Sequence, residues 1–136
     1  MASSEWELQV EIYDAIRNDA TVQGLIGSTA RVYDHVPQDP TFPYVTIGEG
    51  TTIDESTFAK NGFEHTLEIH SWSRYRGRKE VSDIMSAVHG ALHEVTLTPA
   101  TFVHVGIVFE FSQSLLEPDG LTRHGVQRFR AILMEA

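Results

Sequence analysis

The sequence predicts an α+β fold, a mainly antiparallel sheet of about four to five strands covered by two to three helices. Between residues 63 and 71, apolar and polar residues alternate, which is the period of a strand with one wet face. Between residues 81 and 95, apolar residues recur every three or four positions, which is the period of an amphipathic helix. The strongest alternation, Val103 to Ser112, precedes a Pro-Asp-Gly turn and another strand, which predicts an antiparallel hairpin.

Two helical segments are predicted at the start of the chain. The first extends from about Ser4 to Asn18, with Ser3 or Ser4 as its N-cap and Glu7 near the third turn position. A short second helical turn extends from Asp19 to Ile26, and Gly27 ends it. Both segments are expected to cover a sheet.

Two strands are predicted before the central one. Arg31 to Val36 is a short strand that two prolines stop. Phe42 to Gly48 is a better strand, rich in β-branched and aromatic residues, and it extends toward Ile53 with a bulge near Gly48-Glu49-Gly50. The polar segment Asp54 to Gly62 is then predicted to be a loop or a long hairpin tip.

The second half of the chain is predicted to contain one helix and two further strands. The helix of residues 81–95 is followed by a connector at residues 96–101 and by the long strand. Its alternation predicts one shared face for Val103, Val105, Ile107, Phe109 and Phe111. The last strand, Thr122 to Met134, is expected to pair antiparallel with it.

Length and composition indicate a single domain covering residues 1–136. The hydrophobic content of 41% and the charged content of 21% are ordinary for a globular protein. The absence of cysteine excludes disulfides and thiolate metal sites. We expect no signal peptide and no membrane span, because no segment has the required apolar run.

Charge is distributed unevenly along the chain. The net charge of -9 argues against nonspecific nucleic-acid binding, which depends on Lys and Arg neutralising phosphates. Residues 1–55 contain ten acidic and two basic side chains, whereas residues 56–136 contain nine acidic and eight basic ones. This polarity suits head-to-tail association of identical subunits, in which one face of a subunit meets a different face of the next.

Two basic clusters are candidate interface sites. The first lies at a helix N-terminus, where the helix dipole disfavours cations, so an acidic partner surface is the functional interpretation and a solvated turn is the alternative. Aromatic and arginine residues of this kind are enriched at interface hot spots, although the same mixture could serve a nucleic-acid surface. The first cluster contains Trp72, Arg74, Tyr75, Arg76, Arg78 and Lys79, and the second contains Arg123, His124, Arg128 and Arg130.

The sequence predicts no catalytic residue, no cofactor site and no metal ligand. His89 and His93 have the i, i+4 spacing of a helical metal site, but no third ligand is marked out and the pair flanks the apolar stripe. Nucleophile elbows and phosphate-binding loops are absent. A small metal-dependent enzyme therefore remains only as an alternative, which requires a third ligand close to these histidines.

Five segments together resemble a known family. They are His35-Val36-Pro37-Gln38, Phe42 through Gly48, Glu64 through Arg74, Gly77 through Glu80, and Pro118 through Gly125. In this order they resemble the small tail-completion, or tail-terminator, proteins of long-tailed phages and phage-like gene transfer agents. The resemblance extends from about Leu8 to Ala131.

The resemblance implies a structural protein without cofactors. Such subunits form a sixfold ring at the head-proximal end of a tail tube, stop its polymerisation and offer a docking surface to the head connector. The implied partners are further copies of the chain, the tube protein and a connector or stopper, with DNA only passing through the lumen and no membrane involved. The particle is assembled in the bacterial cytoplasm. A head-tail connector of the neck is the alternative.

The resemblance also implies an extended hairpin or loop that bridges neighbouring subunits by strand addition. The candidate is the polar segment before the central strand, with Asp54, Glu55, Lys60, Asn61 and Gly62 as its marker residues.

Overall fold

Three helices and five strands make up the part of the chain that the computed structural model describes, residues 3–27 and 30–136. The helices are α1 (Ser4–Arg17), α2 (Ala20–Ile26) and α3 (Lys79–Leu92). The strands are β1 (Val32–Tyr33), β2 (Tyr44–Asp54), β3 (Gly62–Ser73), β4 (Phe102–Leu116) and β5 (Arg123–Glu135). The predicted α+β class is confirmed.

The strands form one sheet in the order β1-β2-β3-β5-β4. All neighbours pair antiparallel except β1, which runs parallel to β2. The first predicted strand was too long, since β1 contains two residues rather than the six of residues 31–36. The chain bends at Asp34 and His35, so the pairing with β2 ends after Tyr33.

Helix caps explain where α1 and α2 begin. The Ser3 hydroxyl accepts a hydrogen bond from the backbone N–H of Trp6, and Asp19 does the same for Val22. Of the two N-cap candidates in the sequence, Ser3 and Ser4, Ser3 is therefore the cap. The Glu7 carboxylate does not return to this cap, because it accepts hydrogen bonds from the backbone and the hydroxyl of Thr101 instead.

Helix α3 ends three residues earlier than the apolar period predicted. His93 has an extended backbone with ψ of 121°, and Glu94 has a φ of 58°. The Glu94 N–H donates to the carbonyl of Ile107, 2.9 Å away, and so directs the chain toward β4. A tertiary contact therefore overrides the helical period at residues 93–95.

All three helices cover the same face of the sheet. Polar contacts mark this side, because Ser4 Oγ lies 3.0 Å from His65 Nε2 and the Gln127 amide donates to the Met85 carbonyl at 2.8 Å. The core lies between the layers, and its fully buried side chains include Ile12, Ile16, Ile69, Ile84, Leu92, Ile107, Phe129 and Leu133. Within the described residues no helix covers the opposite face, which we call the open face.

The prediction that the apolar residues of β4 share one face was wrong at both ends of the strand. Register shifts at positions 105 and 110 each add one residue to β4 opposite β5. Each extra residue moves the following side chains to the other face. As a result Ile107 and Phe109 face the helices, whereas Val103 and Phe111 lie on the open face, 51% and 42% exposed.

The two edges of the sheet differ strongly. One edge is β1, with two residues followed by a proline-containing segment. The other edge is β4, with fifteen residues. β4 pairs with β5 along one side, and its other side is the edge of the sheet. The free edge of β4 is interrupted by its two bulges.

Candidate interaction surfaces

The first predicted basic cluster forms a turn between β3 and α3, which we call the basic turn (residues 74–79). Arg78 precedes α3 and makes no side-chain cap bond. Arg76 and Arg78 are exposed, and neither forms an ion pair within residues 3–27 and 30–136. Tyr75, which precedes Arg76, is 58% exposed. The basic turn therefore presents two arginines and an aromatic ring to the surroundings.

The two ends of the basic turn are held within the subunit. Arg74 lies over the Phe42 ring, with 4.2 Å from Cζ to the ring centroid, and its Nε donates to Thr122 Oγ1 at 3.2 Å. Lys79 Nζ lies 2.8 Å from a carboxylate oxygen of Asp83, and this hydrogen bond raises the pKa of Lys79. These contacts leave the centre of the turn as its available part.

The second predicted cluster is divided by the alternation of β5. His124, Arg128 and Arg130 share the open face with Trp72, because Trp72 pairs with His124 across β3 and β5. Arg123 is one position out of phase and lies on the helix-covered side. Arg128 Cζ lies 5.2 Å from the centroid of the Phe111 ring. The structure thus brings three of the four predicted residues together.

Stacked rings and hydrogen bonds cross the open face, and we call this arrangement the histidine chain (Glu117, His124, His70, Glu68 and Arg128). His124 Nδ1 lies 2.7 Å from a Glu117 oxygen, and its Nε2 lies 2.6 Å from His70 Nδ1. His70 Nε2 lies 3.3 Å from Glu68, whose carboxylate is 3.9 Å from the Arg128 guanidinium. The histidine chain therefore connects the β4–β5 hairpin to the middle of β3.

One proton position in the histidine chain follows from its carboxylate end. An ionised Glu117 can only accept a hydrogen bond, so Nδ1 of His124 donates to it. Burial lowers the pKa of His124, and the hydrogen bond that His124 donates to Glu117 opposes this shift only in part. The Trp72 ring stacks on His124 with 3.8 Å between centroids.

The segment before β3 is a hairpin tip (residues 55–61), as predicted. The Glu55 N–H donates to the Gly62 carbonyl at 2.8 Å, which closes the tip. The Asn61 amide donates to Glu135 at 3.1 Å and ties the tip to the end of β5. Phe58 is fully exposed at the apex. The tip thus projects an aromatic ring beyond the sheet.

The histidines of α3 make contacts within the subunit. The rings of His89 and His93 stack with 4.7 Å between centroids, and His93 Nδ1 accepts the backbone N–H of Phe109 at 3.1 Å. In the part of the chain that the structure describes, no group of three or more His, Asp or Glu side chains is arranged to hold a metal ion. None of the helices described there has the length and apolar content to cross a bilayer.

Two other histidines lie under the helices. His65 lies between Thr52 Oγ1 and Ser4 Oγ, each 3.0 Å from a ring nitrogen, and burial lowers its pKa. His104 accepts the backbone N–H of Leu97 at 3.0 Å, and burial lowers its pKa as well. Both rings are thus held neutral and help to position α1 and the 96–101 connector.

Sequence reasoning did not find the histidine chain. His70 and His124 are 54 residues apart in the sequence. Their contact requires that β5 pairs with β3 as well as with β4. The one available signal was that Trp72 and His70 share a face with each other, as do His124 and Arg128.

Known proteins resemble this chain over nearly its whole length. The model of the family described as Tail completion protein gp17 matches residues 10–134. A tail completion protein gp17 of Bacillus phage SPP1 is 29% identical over 115 residues, which are 85% of each chain. A chain in the virion of a native gene transfer agent particle has a TM-score of 0.90 and 26% identity, and the match covers 98% of this chain and 99% of that one.

Proposed function

The chain belongs to the tail completion protein gp17 family, a family of structural proteins rather than enzymes, and from this premise we propose that it forms a ring. The ring is a hexamer at the head-proximal end of a phage-like tail tube. It stops further polymerisation of the tube and provides the docking surface for the head connector.

The observation that carries this proposal is the uncovered face of the sheet. Sheets with only one covered face commonly keep the other side polar, but this open face mixes arginines with exposed apolar residues. Val103, Phe111 and Leu115 are each more than one third exposed there, beside Arg128 and Arg130. Such a mixture of aromatic, aliphatic and arginine side chains suits a protein partner.

In this proposal, the shape of the ring stops the polymerisation of the tail tube. One side of the ring matches the last ring of tube subunits, and the other side lacks the surface to which a further tube ring would bind. Trp72, His124, Arg128 and Arg130 of the open face contact a neighbouring subunit or the tube protein. The hairpin tip, with Asp54, Glu55, Lys60, Asn61 and Gly62 at its base and end, reaches the next subunit.

The negative charge of the chain supports a lumen that does not bind DNA. With a net charge of -9, a ring of these subunits repels the phosphate backbone and lets DNA pass through the lumen. The remaining partners are the tube protein on one side and a connector or stopper on the other. Assembly takes place in the cytoplasm of the bacterium that makes the particle, without a membrane.

Deletion of the gene in the producing cell tests the proposal, with tail lengths measured by electron microscopy. Overlong tubes without heads are the expected result, and an intact gene copy should restore the normal length. Tails of normal length that fail to join heads would identify a neck connector and refute the terminator role.

A further inference from the structure

Helix α1 is apolar on two opposite sides, although it has only one neighbouring layer. Leu8, Ile12 and Ile16 are buried against the core. On the other side, Trp6 and Val10 are 58% and 38% exposed. With 100° per residue, Trp6, Val10, Tyr13 and Arg17 fall within one narrow stripe, which we call the α1 stripe.

One acidic residue lies beside the α1 stripe. With 100° per residue, Asp14 is about 40° from Val10 around the helix, whereas Glu5 falls on the side of Ile12 and Ile16. Asp14 is exposed and forms no ion pair within the described ranges 3–27 and 30–136. Two other carboxylates of α1 are engaged inside the subunit, since Glu7 binds Thr101 and Glu11 binds Thr98. The stripe therefore offers an exposed tryptophan ring beside one available negative charge.

We propose that the α1 stripe of one subunit binds the basic turn of a second copy. This inference rests on the proposed ring and names the two surfaces that form its repeated contact. Arg76 and Arg78 are positively charged and complement the negative charge of Asp14, and their guanidinium groups can lie on the Trp6 ring. The chain already uses this contact three times internally, as Arg17 on Tyr13, Arg74 on Phe42 and Arg128 on Phe111.

The start of the α1 stripe lies far from the basic turn. The start of α1 is fixed beside β3 by the contact of Ser4 with His65, the fourth residue of that strand. The basic turn follows Ser73, eight residues further on, which is roughly 26 Å along a strand. Over this distance a subunit cannot place its own basic turn on its own Trp6, so the proposed contact is between copies and generates a ring or a filament. The hairpin tip projects from the same end as Trp6 and so points toward the same neighbour.

Cysteine cross-linking tests the contact, because the chain contains no cysteine of its own. A chain that carries both Val10→Cys and Arg76→Cys is assembled into particles in the producing cell and oxidised. Since a disulfide requires Cα atoms within about 7 Å, only a direct contact links the two positions. We expect a ladder of dimers, trimers and larger species, whose last band gives the ring number.

Each single variant is the matched control. Val10→Cys alone and Arg76→Cys alone should remain monomeric, and the two expressed together should give dimers and nothing larger. No ladder from the double variant, or dimers from either single variant, would overturn the proposal. A photoreactive benzophenone residue at position 76 identifies the neighbour independently, and capture of the tube protein in place of a second copy would also overturn it.

Charge exchange supplies a second test. Arg76→Glu should lower the yield of finished particles by about tenfold, because like charges then face each other. Adding Asp14→Lys should restore most of the yield, whereas adding Asp34→Lys, an exposed site elsewhere in the acidic half, should not. Rescue by both lysines alike would show that only net charge matters.

The outcomes separate this contact from the proposed function. Overlong tails after deletion, together with no ladder, would retain the terminator role and reject the contact. A ladder in particles whose tail length does not depend on the gene would retain the contact and reject the terminator role.

Discussion

Replacement of Gly48 by alanine would show whether the histidine chain is rigid. A Cβ atom at this position of β2 would lie 2.7 Å from Cδ2 and Nε2 of His70 and 3.2 Å from the Glu68 carbonyl oxygen. Because non-bonded carbon atoms prefer about 3.5 Å or more, the His70 ring would have to move by roughly 0.8 Å. Its hydrogen bond to His124 and its position against Trp72 oppose this movement.

The expected decrease in the free energy of unfolding follows from two opposing contributions. Overpacking of this kind costs about 1 to 3 kcal/mol. Replacing glycine restricts the unfolded chain and returns about 0.4 to 1 kcal/mol. The free energy of unfolding should therefore fall by about 1 to 2 kcal/mol, which lowers the melting temperature by about 3 to 8 °C.

Urea unfolding followed by tryptophan fluorescence measures this change, and Gly90→Ala is its control. Gly90 is exposed in α3, and a Cβ atom there would have no neighbour within 4 Å. The same substitution should raise stability by about 0.5 to 1 kcal/mol, because alanine is the better helix former. If Gly48→Ala were as stable as the unmodified chain or more so, the His70 ring would be free to move and the reasoning would fail.

Three further predictions concern the core, the buried histidines and a helix cap. Phe129→Ala should reduce the free energy of unfolding by about 3 to 5 kcal/mol in urea titrations, because this side chain is fully buried in the middle of β5. His65, His104 and His124 have lowered pKa values in the folded chain, so the unfolded chain binds protons first as the pH falls. Stability should be complete above about pH 6.5 and should decrease below it, seen as a lower urea midpoint at pH 5.5 than at pH 7.5. Asp19→Ala should cost about 1 kcal/mol in thermal melts, because it leaves the N–H of Val22 without its cap.

Controls and contrary outcomes follow from the same contacts. Phe111→Ala should cost less than Phe129→Ala, since Phe111 is 42% exposed, and equal losses would contradict the assigned faces of β4. A urea midpoint that stays constant or rises at pH 5.5 would contradict the neutral state of the buried histidines. Asp19→Asn should keep most of the stability that alanine loses, since its amide oxygen can still accept.

The sequence predicted those features that depend on local chemistry. Ser3 and Asp19 cap helices because their short polar side chains reach the free N–H groups of the first turn. The alternation of β3 and β5 correctly separated buried residues such as Ile69 and Phe129 from the open face. These predictions succeeded because each requires only residues that are a few positions apart.

Features that depend on distant strands could not be predicted. Nothing local at Val105 or Glu110 indicates a bulge, because both continue an apolar or alternating segment. Their register is set by packing against β5. The contact of His70 with His124 likewise exists only because β5 lies between β3 and β4. For the candidate surfaces, the sequence therefore predicted two basic clusters but not which face of the sheet each residue occupies.

The unequal edges of the sheet bear on how a free subunit avoids uncontrolled association with other chains. A long unpaired strand invites uncontrolled addition of other chains, and proteins commonly limit this hazard with bulges and very short edge strands. Here β1 closes one side with two residues, and the bulges of β4 divide the other into short runs. The longest regular run is Phe111 to Leu116. These short runs limit the uncontrolled addition of further chains along either edge of the sheet.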